Sequence, residues 1–126
     1  MIFNKVKNIF LIGVGGIGMS ALARYFIIMN KHLIGYDREF SQITNELQKL
    51  GVKITFDEND HSFIDKLESQ KGETLVIYSS AIKKDHSLLN QFIIRDFNIA
   101  KRASVLEIIS NSCKCIAIAG THGKTT

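Results

Sequence analysis

The 126-residue sequence has no proline, no tryptophan and only two cysteines, and its apolar stretches are short. With 45% hydrophobic and 22% charged residues, it is not a disordered or low-complexity chain; those carry too little apolar surface to order themselves. Two cysteines cannot build a disulfide framework, and Cys113-x-Cys115 lacks the second pair that a four-ligand zinc site needs. Reduced thiols in a cytoplasmic protein are expected. His32, His61 and His86 share no spacing that suggests a metal. A membrane span needs about 20 apolar residues, and Arg24 interrupts the best candidate, so no membrane insertion is expected. With tryptophan absent, eight phenylalanines and three tyrosines are the aromatic complement, and most sit at core-facing positions.

Charge of one sign is also sparse. Sixteen Lys and Arg against twelve Asp and Glu leave a formal charge of +4, and pairs such as Lys83-Lys84 and Lys101-Arg102 are scattered among acids. Nucleic-acid binders concentrate such charge on one face or in one run, so a solvated surface without a nucleic-acid partner is expected. Small anionic ligands stay open. Lys5, Lys7, the apolar run Ile9 to Met19 and Ala21-Leu22-Ala23 imitate a secretory signal. Cleavage there would discard the best-placed motif in the chain, which argues against it.

What is present is an alternation. Apolar runs at Asn8–Ile12, His32–Tyr36, Val52–Phe56, Thr74–Tyr78, Asn98–Lys101 and Cys115–Ala119 read as strands. Between them lie helical patterns: Ile17, Ala21, Tyr25 and Met29 with Leu22 and Phe26 alongside; Ile43, Leu47 and Leu50 before Gly51; a segment opened by Ser62-x-x-Asp65; Leu88, Leu89, Phe92 and Ile93; and a short helix through Ile109 capped by Ser104-x-x-Glu107. Strands alternating with helices over short connections imply a Rossmann-like α/β fold, an open and mainly parallel sheet with helices on both faces. The strand at 115–119 and its glycine loop have no helix after them, so the sequence reads as stopping mid-motif.

Two loops carry chemistry. Gly13-x-Gly15-x-x-Gly18 follows a strand and opens a helix, the context of a dinucleotide-type phosphate loop. Gly13 is expected to permit the tight turn, Gly15 to let backbone approach a pyrophosphate, and Gly18 to let helix and strand pack closely. Asp37, 19 residues after Gly18 at the end of the second strand, is placed to bond ribose hydroxyls. From these residues alone an NAD-binding module remains open. The second loop, Gly120-Thr121-His122-Gly123-Lys124-Thr125, ends in the Gly-Lys-Thr of a nucleoside-triphosphate loop, although Ile118 stands where the usual spacing has its first glycine. Lys124 is placed to reach β- and γ-phosphates, and the Thr125 hydroxyl to ligate Mg²⁺. A dehydrogenase leaves this second loop idle, and a plain ATPase leaves the first idle.

Gly13-Val14-Gly15-Gly16-Ile17-Gly18-Met19-Ser20, Ser79-Ser80-Ala81-Ile82, Arg102-Ala103 before a helix, and Ala119-Gly120-Thr121-His122-Gly123-Lys124-Thr125-Thr126 occur in an order that resembles the Mur ligases. The resemblance covers essentially the whole chain but only about the first quarter of such an enzyme. It implies that residues 1–111 are the Rossmann-like UDP-substrate domain and 112–126 the first strand and phosphate loop of a truncated central ATPase domain. It further implies an ATP- and Mg²⁺-dependent ligase that joins L-alanine to UDP-N-acetylmuramate through an acyl phosphate, with the murein-peptide recycling branch as an alternative. The UDP-sugar would be held by Gly13, Gly15, Gly16, Ile17, Gly18, Asp37, Ser79, Ser80 and Ala81. ATP would be held by Gly120, Thr121, His122, Gly123, Lys124, Thr125 and Thr126, with Lys124 catalytic and Thr125 on the metal. One departure stands out: Asp57-Glu58, with His61 three residues later, occupies the place of an expected Gly-His pair after the third strand.

Overall fold

The computed structural model describes residues 3–120, with side-chain surroundings through Ser112. Strand β1 (Asn8–Ile12) lies at the centre of the sheet and is buried along its whole length. With β2 (His32–Tyr36), β3 (Lys53–Thr55), β4 (Thr74–Tyr78) and β5 (Asn98–Lys101) it forms a five-stranded sheet in the order β3-β2-β1-β4-β5. Every pairing is parallel, with Asn8 opposite both His32 and Thr74. A continuous aliphatic run such as Ile9-Phe10-Leu11-Ile12 suits this position, because a central parallel strand is covered on both faces.

Alternate side chains serve opposite faces. Ile9, Leu11, Leu33 and Ile77 pack against α1 (Ile17–Ile28), α2 (Gln42–Lys49) and the start of α5 (Arg102–Gly120) through Leu22, Phe26, Leu47 and Val105. Phe10, Ile12, Ile34 and Val76 pack against α3 (Ser62–Leu67) and α4 (Ser87–Ile94) through Ile64, Leu67, Leu88 and Phe92. The connections from β1 run outward through β2 to β3, whereas β4 returns to the other side of β1. The carboxyl ends of β1 and β4 therefore flank the point where strand order reverses, where open α/β sheets leave a crevice.

The five strands up to Lys101 form as expected, β3 one residue shorter at each end. Several helical details differ. On α1, Leu22 and Phe26 are buried as expected, but with Met19 and Ala23 beside them, whereas Ile17 is 83% exposed. Two adjacent stripes of this apolar helix have helical spacing, and the glycine loop that aims the helix selects between them. Ser41 and Thr44 form a reciprocal capping box that opens α2, whereas the expected box at Ser62 is replaced by Asp60, whose Oδ1 accepts from the Ser62 N–H at 3.1 Å. Helix α5 begins at Arg102, ahead of the expected cap at Ser104, and continues through the expected sixth strand at 115–119. A helix satisfies its backbone within itself, whereas a strand needs a neighbour, and no described strand pairs with this segment.

Gly35 on β2 provides the close contact between loop and sheet. A Cβ there would lie 2.9 Å from the Cβ and Cγ1 of Val14, which is itself fully buried. Gly35→Ala should therefore lower the unfolding free energy by about 1–3 kcal/mol in urea denaturation. Gly72→Ala, whose added Cβ meets nothing within 4 Å, should leave it nearly unchanged.

Candidate functional site

The turn after β1 is built on backbone bonds to β2. Gly13, at φ +91°, adopts a conformation that favours glycine, and the Gly13 and Val14 N–H groups both donate to the Tyr36 carbonyl, at 2.8 and 2.9 Å. The Gly15 N–H donates to Asp37 Oδ2 at 2.7 Å, and Asp37 Oδ1 accepts from the Glu39 N–H at 3.1 Å. Gly15 thus admits a close approach by Asp37: a Cβ there would lie 2.7 Å from Oδ2. The expected partner of that N–H was a pyrophosphate. The carboxylate takes it first, because β1 and β2 are neighbours in register and end side by side. Gly18 also differs from expectation. The group over it is the Arg102 guanidinium, with Nη1 2.6 Å from where a Cβ would stand.

Among the described residues, the N–H groups of Ile17, Gly18 and Met19 have no acceptor; the Ser20 N–H makes the first bond of α1, to Gly16. No side chain caps this end and no acid lies in its first turn. The next three helices at the same edge are already supplied. In α2 the Ser41 Oγ accepts from the Thr44 N–H, in α3 Asp60 accepts from Ser62, and in α4 Glu58 Oε2 accepts from the Ser87 N–H at 3.0 Å. The α1 end, with its partial positive charge and the adjacent Arg102, is thus the one among α1–α4 left without an acceptor.

Beside it a cleft of about 440 Å³ is lined by Gly13, Asp37, Arg38, Glu58, Ala81 and His86, among others, with Tyr36 in its wall. Asp37 keeps acceptor capacity for ribose hydroxyls, since a carboxylate has about four lone-pair sites. Of the expected residues, Gly13, Asp37 and Ala81 meet in this cleft, while Gly15, Gly16, Ile17 and Gly18 build its adjoining turn. Ser80 lies apart, in a groove of about 550 Å³ with Lys83, Lys84 and Lys101, and Ser79 lines neither cavity. Of the residues expected to hold ATP, Gly120 ends α5, and Thr121, His122, Gly123, Lys124, Thr125 and Thr126 lie outside the described residues. Among those described, no group of three His, Cys, Asp or Glu is placed to hold a metal.

Sequence reasoning missed Tyr36, Arg38, Glu58, His86 and Arg102 as site residues. Arg102 and Glu58 were both visible as motif positions, but only the fold shows what they face. His86 packs edge-on to Tyr36 at 5.0 Å between centroids, and its buried Nδ1 has no hydrogen-bond partner among the described residues. Burial pulls the His86 pKa below its usual 6.5, against the opposing pull of Glu58 and Asp85. Burial, with Glu58 and Asp37 adding to it, pushes the Tyr36 hydroxyl up from 10.0.

A doubly wound parallel sheet with a glycine turn and an acid at its switch point defines a Rossmann-like domain of the nucleotide-binding architecture. The model of the Mur ligase family, catalytic domain, matches residues 8–113, and the chain belongs to that family. It is 46% identical to UDP-N-acetylmuramate–L-alanine ligase of Flavobacterium psychrophilum and 42% identical to that of Parabacteroides distasonis, in both cases along all of this chain. It spans about 28% and 27% of those relatives' lengths. Among solved structures, UDP-N-acetylmuramate-alanine ligase MurC of Thermotoga maritima superposes with a TM-score of 0.66 at 25% identity, over 85% of this chain and 23% of that one. The UDP-N-acetylmuramate:L-alanyl-gamma-D-glutamyl-meso-diaminopimelate ligase of Neisseria meningitides shares the fold, with a TM-score of 0.65 at 17% identity over 77% of this chain and 29% of that one.

Two outcomes follow from the geometry. Asp37→Ala should cost about 1–3 kcal/mol of stability, the scale for a hydrogen bond to a charged group, and the Gly15 amide should lose protection in hydrogen exchange. His86, with its folded pKa below 6.5, contributes fully above that pH. As pH falls below it, the unfolded chain takes up the proton first and stability drops. His86→Asn should flatten this slope in urea midpoints compared between pH 7.5 and 5.5.

Proposed function

We propose that this chain is the UDP-substrate-binding part of an ATP-dependent ligase that joins L-alanine to UDP-N-acetylmuramate. Residues 1–111 form the substrate domain, and 112–126 begin the central ATPase domain. The observation that carries the reading is the open amino end of α1 beside the Asp37 cleft. The Ile17, Gly18 and Met19 N–H groups, with the Arg102 guanidinium over Gly18, offer donors and positive charge where a pyrophosphate needs them. Asp37 takes the ribose. Similarity along the whole chain to ligases named for UDP-N-acetylmuramate and L-alanine supports this choice of nucleotide over NAD.

In the reaction so assigned, the lactyl carboxylate of the substrate attacks the γ-phosphorus of ATP, and ADP leaves. The alanine amine then attacks the resulting acyl phosphate, losing a proton as phosphate departs. The domain described here binds and orients the nucleotide half of the substrate. ATP and Mg²⁺ are assigned to the Gly120–Thr126 loop, with Lys124 on the phosphates and Thr125 on the metal. No helix of the described residues is long and apolar enough to cross a membrane, and a cytoplasmic location is part of the same proposal.

Calorimetric titration of the 126-residue chain with UDP-N-acetylmuramate, UDP, NAD and ATP tests the assignment. UDP ligands should bind and NAD should not, with no turnover of ATP and L-alanine by this chain alone. Arg102→Gln should weaken UDP binding by about 10-fold or more, as loss of a charge-assisted hydrogen bond predicts, while leaving uridine binding unchanged. Binding of NAD that UDP does not displace would overturn the reading.

A further inference from the structure

Phe40 is the most exposed aromatic side chain at this edge of the sheet, 65% accessible where most aromatics of the chain were expected in the core. It is not solitary: its ring pairs with Phe56 at 5.9 Å between centroids, tilted by 58°. The pair neighbours Asp37, just outside the residues that line the cleft. The Asp37 N–H donates to the Thr55 carbonyl at 3.2 Å, so Phe56, the next residue, stands alongside Asp37 at the end of β3. Arg38 and Glu58, which line the cleft, flank the pair along the chain.

The backbone that carries Phe40 is held on both sides. Glu39 donates its N–H to Asp37 Oδ1 at 3.1 Å, and the Ser41 N–H donates to Thr44 Oγ1 at 2.8 Å within the capping box of α2. An aromatic ring fixed in place before its partner arrives loses little freedom on binding. Burying that ring in the core would be favourable by itself. Instead the bonds to Asp37 and Thr44 hold its loop beyond the end of β2, three residues from the carboxylate assigned to a ribose.

We infer that Phe40, backed by Phe56, is the stacking surface for the pyrimidine ring of the bound uridine nucleotide. The inference rests on the nucleotide reading above and adds to it a determinant for the base. With the ribose on Asp37 and the pyrophosphate over the amino end of α1, the base extends toward the ends of β2 and β3. That is where the aromatic pair lies. Base–aromatic stacking needs only the flat face of the ring, and it leaves the edges of the base to the polar groups of the cleft.

The absence of tryptophan makes the test direct. Phe40→Trp introduces a lone indole, whose emission should be quenched on titration with UDP but not with inorganic pyrophosphate. Phe40→Ala should raise the dissociation constant for UDP by about 5- to 150-fold, the range for removing one base-stacking ring, with pyrophosphate binding unchanged. Its thermal midpoint should stay near that of the parent chain, since the ring is mostly exposed. Equal UDP affinity in the parent and Phe40→Ala chains, or an indole insensitive to saturating UDP, would overturn the stacking assignment and leave the nucleotide site standing. Failure of the parent chain to bind UDP at all would overturn both. Tighter, Phe40-dependent binding of ADP than of UDP would overturn the choice of a pyrimidine.

Discussion

The hydrogen bond from the Gly15 N–H to Asp37, 2.7 Å long, is the interaction on which the carboxyl edge of this sheet depends. It ties the turn after β1 to the end of β2. It thereby fixes where α1 begins and which way its first N–H groups point. The same carboxylate accepts from Glu39, so one side chain also sets the path of the loop that enters α2. A glycine at position 15 is the condition for this, because any Cβ would stand inside the carboxylate's contact distance. The loop owes its shape to a bond the protein makes with itself, so it is formed before any anion arrives. Preorganisation of this kind lowers the cost of binding.

Much of this was legible in the sequence. Ile9-Phe10-Leu11-Ile12 has no polar alternation, and only a strand covered on both faces tolerates that, so the centre of a parallel sheet could be read directly. The pairing of Gly13-x-Gly15-x-x-Gly18 with Asp37 marked a dinucleotide-type phosphate loop, and the structure places it where the strand order reverses. The roles within the motif were less legible. Gly15 and Gly18 were assigned by analogy to ligand and strand, whereas the structure puts Asp37 against the first and Arg102 against the second. Spacing records that something must come close to a glycine. It does not record what comes close, because that depends on which distant strand ends are neighbours.

The same limit explains the remaining differences. The face of α1 could not be chosen from periodicity, since apolar residues surround most of that helix and the entry angle comes from the loop. Residues 115–119 have β-branched and alternating character, yet α5 runs through them. Strand formation is a property of a pair of segments, and local sequence is blind to whether the second one is at hand. Exposed Phe40 escaped notice for a related reason. Hydrophobic residues are counted toward a core by default, and only tertiary geometry shows that the loop from Asp37 to Ser41 points this one outward.

The departure at Asp57-Glu58 has a structural role at the start of α4. Glu58 accepts from the Ser87 N–H, and His61 Nε2 lies 3.1 Å from the Ser87 Oγ, so the segment after β3 grips the start of α4 across the cleft. A carboxylate at a helix amino end is favourable there, and it also occupies the position that an incoming phosphate would take. Ser41 and Asp60 do the same for α2 and α3. On the proposed function, the anionic part of a ligand would go to α1 and Arg102, where the N–H groups of Ile17, Gly18 and Met19 are left open. On the same proposal, a nucleotide in this crevice would lie with its phosphates toward α1, because the ends of α2, α3 and α4 already have acceptors, and with its base toward Phe40.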